Sequence, residues 1–447
     1  MSQSPWVKGP YTPVNDELDV CDLPMTGRLP PELNGILARI GPSPIGEVGA
    51  DHNLFFGDGM VHAVTFENGV AKAFRNRWVR TEPVARKLGE SNQWPALAGE
   101  DVANTHIIPF AGKYYAMTET CIPYRLDAAF ATEARDDFNG FIDRGFTAHP
   151  HIDPNTGNLH AIGYAVDAQP EVTHYVFDPH GAPLRRTRIA MNGPAWVHDF
   201  AMTASYLILW DLPLQFDQAC ADAGEQAPYK WQPNYHASVG LRPIDGTDDS
   251  VIWFDAPAAF VFHPVNAWEE PNAEGEVVKV VCDVSRYAKM FDQVRTGPGD
   301  MAPPQLYRWE FDLRNRTMTE ALLDPRVQEF PRIDDRFWGK RHGFSVMTEL
   351  FRFSGGSGLI TRYGDGSSQE HSFGPGNVTS EGIFIPHGED AREGEGLIMA
   401  LVSEAKSGAT KVAVFEAEQL AKGPMAEITL PQRVPYTFHG SWMPALG

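Results

Sequence analysis

Fifteen histidines are spread along the 447-residue chain, and four of them sit in unusual surroundings. They are His149 in Thr147-Ala-His-Pro-His-Ile-Asp153, His198 in Trp196-Val-His-Asp-Phe200, His263 in Phe262-His-Pro-Val-Asn-Ala-Trp-Glu-Glu270 and His439 in Pro435-Tyr-Thr-Phe-His-Gly-Ser441. Each lies in or beside a strand-like segment with aromatic or branched neighbours, where burying an uncompensated imidazole costs free energy. Four neutral imidazoles suit a divalent transition metal, and around iron they leave two of six octahedral positions open for dioxygen and substrate. The same contexts also read as four satisfied core histidines. A second arrangement is His151-Ile-Asp153, the His-x-Asp half of a two-histidine, one-carboxylate iron triad, although Asp153 stands before Pro154 in a turn. Gly57-Asp-Gly59 reads as a turn and not a phosphate loop, because position 62 is His where a third glycine is needed. No Gly-x-Ser-x-Gly elbow occurs, which removes the usual serine-hydrolase geometry.

The four histidines are 49, 65 and 176 residues apart, too far for a local finger, so converging elements must bring them together. Glycine (41) and proline (36) punctuate the whole chain and imply many short elements. Between them lie β-rich segments such as Tyr206-Leu-Ile-Leu-Trp210, Val277-Val-Lys-Val-Val-Cys282 and Val412-Ala-Val-Phe415. Turn chemistry separates them, as in Glu67-Asn-Gly69 and Asp178-Pro-His-Gly181. A looser recurrence, an aromatic strand ending at an acid, appears at Tyr124-Arg-Leu-Asp127, Tyr175-Val-Phe-Asp178, Tyr307-Arg-Trp-Glu-Phe-Asp312 and Val414-Phe-Glu416. It suggests an all-β fold of repeated antiparallel units, of the β-propeller kind, whose inner strands meet on one axis. Helical pattern is confined to connecting segments, and 82–97 and 214–236 are expected to form a cap over one face. No break in composition divides the chain, so residues 1–447 are expected to form one domain.

With 37 Lys and Arg against 58 Asp and Glu, the net charge is −21. Nucleic acid is excluded as a partner by that field, with no basic stretch to offset it. The longest apolar run, Leu397 to Val402, is far short of a membrane-spanning helix. The N-terminal residues lack a secretory pattern, so a cytoplasmic location is expected. Four cysteines, none in a Cys-x-x-Cys spacing, suggest neither a zinc knuckle nor a redox dithiol.

These residues carry a resemblance that runs essentially end to end: the chain resembles the carotenoid cleavage oxygenase family. The matching segments are Leu33 to Gly41 with Pro42-Ser-Pro44, Phe56-Gly-Asp-Gly-Met-Val-His62, Arg75-Asn-Arg-Trp-Val-Arg80, Ala103-Asn-Thr105, Ala116-Met-Thr-Glu119 and the four histidine segments in order. The resemblance implies a seven-bladed β-propeller with a helical cap and one ferrous iron on the axis, held by His149, His198, His263 and His439, with dioxygen as co-substrate. His151 is set aside as a ligand. Glu119, Glu329 and Glu381 are implied to receive the outer N–H of His198, His263 and His439 respectively, fixing tautomer and ring direction and offsetting the metal's charge. Thr105 is implied to sit beside an open iron position and to limit solvent access there. Each glutamate alone also reads as a strand-end acid, and Thr105 as an ordinary strand threonine.

The expected activity is cleavage of a conjugated carbon–carbon double bond into two carbonyl products. The partner is an apolar small molecule, and the family relation allows peripheral contact with a membrane from which it is drawn. Trp196, Phe200, Phe262, Trp268 and Phe438 are candidates for an access tunnel, and equally for blade packing. Phenolic-stilbene cleavers of the family usually carry a lysine before the first glutamate and an upstream tyrosine; here Thr118 precedes Glu119, and 81–100 holds no tyrosine. A carotenoid or apocarotenoid is therefore expected, with a phenolic stilbene or phenylpropanoid as the alternative. A propeller serving only as a binding platform is the non-enzyme alternative.

Overall fold

The computed structural model describes residues 4–91, 94–95, 101–247, 250–291, 297, 302–352 and 356–444. The turn residues act as their types dictate. Asn68 and Gly69 both take positive φ between Gly59–Glu67 and Val70–Trp78, the backbone that a two-residue hairpin needs. Repetition of such hairpins builds a seven-bladed β-propeller.

In spatial order, blade 1 is Gly440–Met443, Gly35–Pro42, Gly59–Glu67, Val70–Trp78 and Asp19–Cys21. Blades 2 to 6 are four-stranded sheets that begin, respectively, with His106–Phe110, His151–Ile152, Ala201–Met202, Phe260–Pro271 and Gln328–Ile333. Blade 7 sets Val378–Thr379 and Ile383–Pro386 on Gly396–Ser403, followed by Thr410–Glu416, Ala426–Thr429 and Met25–Gly27. The two ends of the chain are thus exchanged across the closure. The C-terminal strand Gly440–Met443 pairs in blade 1, and the N-terminal strand Met25–Gly27 pairs in blade 7. Adjacent blades pack through apolar faces. Trp210 of blade 4 and Trp309 of blade 5, both fully buried, meet edge to face at 5.7 Å, a favourable aromatic geometry.

The first strand of each blade lies toward the axis, and neighbouring first strands touch around much of the ring. That placement turns wide sequence spacing into proximity.

The expected helical cap is not what forms. Within 82–97 only Glu82–Lys87 is helical, and residues 92, 93, 96 and 97 lie outside the described residues. Within 214–236 the chain makes a β-hairpin, Leu214–Phe216 with Tyr229–Trp231, around the single helical turn Gln218–Asp222. The physical reason is length: five or six residues between turn signals cannot sustain a helix by their own hydrogen bonds. Strand pairing uses the Leu-Gln-Phe and Tyr-Lys-Trp ends instead. Among the described residues no helix is long and apolar enough to cross a membrane.

Candidate metal centre and cavity

The propeller axis gathers His149, His198, His263 and His439, each offering a ring nitrogen, and the four nitrogens lie within 4.8 Å of one another. Blade 1 supplies His439, and blades 3, 4 and 5 supply His149, His198 and His263, at or just before their innermost strands. The other three blades supply the carboxylates: Glu119 follows the second strand of blade 2, Glu329 lies in the first strand of blade 6, and Glu381 precedes Ile383–Pro386 of blade 7.

Each carboxylate meets one ring. Glu119 Oε2 faces His198 Nδ1 in a short contact. Glu329 Oε2 is 2.7 Å from His263 Nδ1, and Glu381 Oε1 is 3.1 Å from His439 Nδ1. With Nδ1–H donated outward, each Nε2 keeps its lone pair for the axis. His149 has no such hydrogen bond to a carboxylate; its Nδ1 is 3.9 Å from Asp199 Oδ2.

The backbone is bent to make these contacts. The register shifts on both sides of Pro264, next to His263, and again between Glu329 and Arg332, bulges that re-aim side chains. Ala103, Thr120 and Phe330, all non-glycine residues at positive φ, flank Thr105, Glu119 and Glu329. Such strain persists where the surroundings fix it, and it concentrates at functional sites.

The donor set fits a divalent transition metal. His263 Nε2 is buried without a hydrogen-bond partner among the described residues, and His149 Nε2 stands 3.1 Å from His198 Nε2. Burial, reinforced by the adjacent rings, holds His149 well below the usual imidazole range, and burial outweighs Glu381 to do the same to His439. At His263 burial is outweighed by Glu329, and the shift is upward. Imidazoles that turn a ring nitrogen inward, backed by carboxylates, are the chemistry of such a site. Burial alone would raise Glu381, but Arg332, the His439 ring and Arg39 hold it well below the usual carboxylate range.

A cavity of about 790 Å³ opens onto this centre. Its wall includes His198, His263, His439 and Thr105, but not His149, which therefore backs the cluster. Thr105 Oγ1 lies 3.0 Å from Asn104 Oδ1 and donates to it. Of the aromatic residues considered for a tunnel, Trp196, Phe262 and Phe438 line the cavity. Phe200 instead packs on His151, and Trp268 lies against Arg308 and His342.

His151 is outside the cluster. Its Nε2 meets Asp199 Oδ1 at 2.9 Å and its ring stacks on Trp338 at 4.0 Å. Asp153 spends its carboxylate on Asn155 and Thr156 within its own turn, so the two do not form a metal-binding dyad.

Several further residues support the centre from positions far apart in the sequence. Tyr164 donates its hydroxyl to Glu119 in a short contact and accepts from Val197 N at 3.2 Å, bridging a carboxylate to the segment before His198. Arg39, fully buried in an otherwise apolar strand, reaches Glu381 Oε2 at 2.6 Å and the Phe438 carbonyl at 2.8 Å. A charge inside such a strand is the one signal that was available for it. His106 packs on His149 and His439, but both its nitrogens face backbone carbonyls, of Ala148 at 2.9 Å and Gly440 at 3.3 Å.

Comparison with known proteins decides the family. The family model described as retinal pigment epithelial membrane protein matches residues 11–444, and a carotenoid cleavage oxygenase of Mycobacterium tuberculosis is 34% identical, over 99% of this chain and 98% of that protein. The chain belongs to the carotenoid cleavage oxygenase family. Other members resemble it nearly as well. An isoeugenol monooxygenase of Pseudomonas nitroreducens is 30% identical over 98% of both chains. The crystal structure of Pseudomonas brassicacearum lignostilbene dioxygenase superposes with a TM-score of 0.90, at 28% identity over 99% of each chain. This carotenoid cleavage oxygenase family member is therefore an enzyme of double-bond cleavage with a four-histidine metal site.

Proposed function

We propose that the protein is an iron(II)-dependent dioxygenase that cleaves a conjugated double bond of a carotenoid or apocarotenoid into two carbonyl products. The observation that carries the choice of substrate is the cavity wall. Aromatic and aliphatic residues surround the face of the histidine cluster, and among the described lining residues no lysine is present. Arg144, a cation at the wall, is paired with Asp167 at 3.2 Å. The residue before Glu119 offers no charge either. Thr118 lines the cavity, but its Oγ1 accepts from Asn104 N at 2.7 Å and donates to Asn104 Oδ1 at 3.2 Å, so its hydroxyl is spent within the wall. A phenol that must be ionised to become electron-rich finds no cation there. A polyene is electron-rich already and gains affinity from apolar burial, roughly 25 cal/mol per Å² before ordering costs.

Iron(II), when bound by His149, His198, His263 and His439, supplies a redox-active centre able to react with dioxygen. The chain's own residues do the rest. Glu119, Glu329 and Glu381 hold three rings in one tautomer and direction. Phe55, Phe262 and Phe438 press a flat conjugated chain toward the open side of the cluster. Thr105 occupies space at that side, narrowing the approach of water.

A phenolic substrate is the second reading, favoured by the 0.90 TM-score to lignostilbene dioxygenase and by the isoeugenol monooxygenase relative. Anaerobic loading with iron(II), followed by product analysis across apocarotenals and 4-hydroxystilbenes, separates the two. Turnover of an apocarotenal should exceed that of a 4-hydroxystilbene by about tenfold or more, the preference expected when a charged partner for the phenol is missing. The reverse preference, with turnover lost on methylation of the 4-hydroxyl, would establish the phenolic reading.

A further inference from the structure

We infer that Tyr229 is a specificity-determining residue: its hydroxyl donates a hydrogen bond to a neutral oxygen, carbonyl or hydroxyl, carried by the end of the substrate that lies along the His198 side of the cavity. The inference rests on the proposed reading of the cavity as the seat of a conjugated molecule, but not on which skeleton that molecule has.

Tyr229 stands in the hairpin that replaces the expected cap. That hairpin is registered to the segment carrying His198, because Trp196 N donates to the Leu214 carbonyl at 2.9 Å and Ala195 bridges to Gln215. The Tyr229 ring lies 5.0 Å from Trp196 and 6.1 Å from Phe216. Its distance from the histidine cluster is thus set by backbone pairing and two aromatic contacts, a rigid placement suited to fixing a substrate's register.

Tyr229 is buried and lines the cavity, yet among the described residues nothing accepts its hydrogen bond. Several other buried tyrosines pair theirs, Tyr124 with Asp101 at 2.7 Å, Tyr114 with the Pro444 carbonyl at 2.8 Å, Tyr175 with Asp143 at 3.0 Å and Tyr164 with Glu119, and Tyr287, also on the cavity wall, has Glu329 beside its hydroxyl. With its ring buried and its hydroxyl opening onto the cavity, Tyr229 leaves its hydrogen bond to whatever the cavity holds, and a substrate oxygen there takes the place of water. Tyr11 and Tyr436 also line the cavity, with rings 5.5 Å apart. They are only half-buried, so water can satisfy their hydroxyls.

The charges nearby define the oxygen. Burial, with Glu119 and Asp167 nearby, keeps Tyr229 protonated, a donor that seeks an acceptor. The cations on this side are already committed: Arg144 to Asp167 at 3.2 Å, and Arg186 and Arg188 to Asp143 at 3.1 and 3.0 Å. A carboxylate end group would therefore find no uncommitted cation among them. An aldehyde, ketone or alcohol needs none.

The test compares wild type and Tyr229→Phe on a matched pair of substrates, one ending in oxygen and one ending in hydrocarbon, on whichever skeleton, polyene or stilbene, the wild type cleaves. The skeleton judges the proposed function; the ratio within the pair judges Tyr229. Two readouts are taken: kcat/KM with iron(II), and Kd from quenching of tryptophan fluorescence under anaerobic conditions. In Tyr229→Phe the preference for the oxygen-terminated member should fall about tenfold in both, the effect of one lost hydrogen bond to a neutral acceptor, and cleavage should spread to neighbouring double bonds. An unchanged ratio, or a ratio moved by Tyr436→Phe in place of Tyr229→Phe, would overturn the assignment.

Discussion

Two sides of the histidine cluster are built differently. His198, His263 and His439 border the cavity, and each has its Nδ1 fixed by a glutamate. His149 does not border it and has no direct carboxylate bond. It is wedged among the rings of His198, His263, His439 and His106 at centroid distances of 4.8, 4.9, 4.5 and 5.6 Å. The difference has a simple physical cause. A ring beside a cavity lacks packing atoms on one face, so rotation must be stopped by a directional bond. A ring enclosed on all sides is held by contact alone. Blades 2, 6 and 7, which give no imidazole, are free to give that bond.

The largest expected effects ignore this distinction, because every ring is a proposed ligand. His263→Ala and His149→Ala should both lose iron, measured by elemental analysis of the purified protein, and cleavage should fall by more than about 100-fold, beyond the usual effect of losing a supporting group. Retention of full iron by His149→Ala would reduce the enclosed ring to packing and break the comparison at its base. The next effect belongs to the cavity side alone. Glu329→Gln keeps the size of the side chain but removes the charge that receives His263 Nδ1–H, and should weaken iron affinity about 10 to 100-fold in a chelator competition. Equal affinity in wild type and variant would mean that packing holds His263 as well.

The sequence carried much of the fold in its turns. The loose recurrence of an aromatic strand ending at an acid falls on the third strand of blades 2, 3, 5 and 7, where a buried aromatic strand runs out to an acidic turn. The four histidine contexts were visible because imidazoles between aromatic residues demand partners. The hairpin at 214–231 was not, since three-residue strands leave too little alternation to outweigh a short helical pattern. Nor were the supports of the glutamates. Arg39 and Glu381 are 342 residues apart, and Tyr164 and Glu119 are 45 apart, so only the closed ring makes them neighbours. Asp199 was hidden in another way: it follows a candidate ligand directly, yet it serves the strand of a different blade.

Asp199 gives the smallest effect and the sharpest form of the comparison. Its Oδ2 lies 3.9 Å from His149 Nδ1, beyond a hydrogen bond, while its Oδ1 is committed to His151 Nε2 at 2.9 Å and to Phe200 N at 2.7 Å. If enclosure holds His149, Asp199 acts on it only as a nearby charge. Asp199→Asn should then change iron affinity by less than about tenfold, below the range for losing a directly bonded partner. His151→Ala, which removes the group that anchors Asp199, should likewise retain bound iron. Both are measured in the chelator competition used for Glu329→Gln, so the three values stand on one scale. An Asp199→Asn loss equal to that of Glu329→Gln would show that the carboxylate orients His149 as the glutamates orient the other rings. The ring that backs the cluster would then be held by charge and not by packing, and the two sides of the centre would follow one rule.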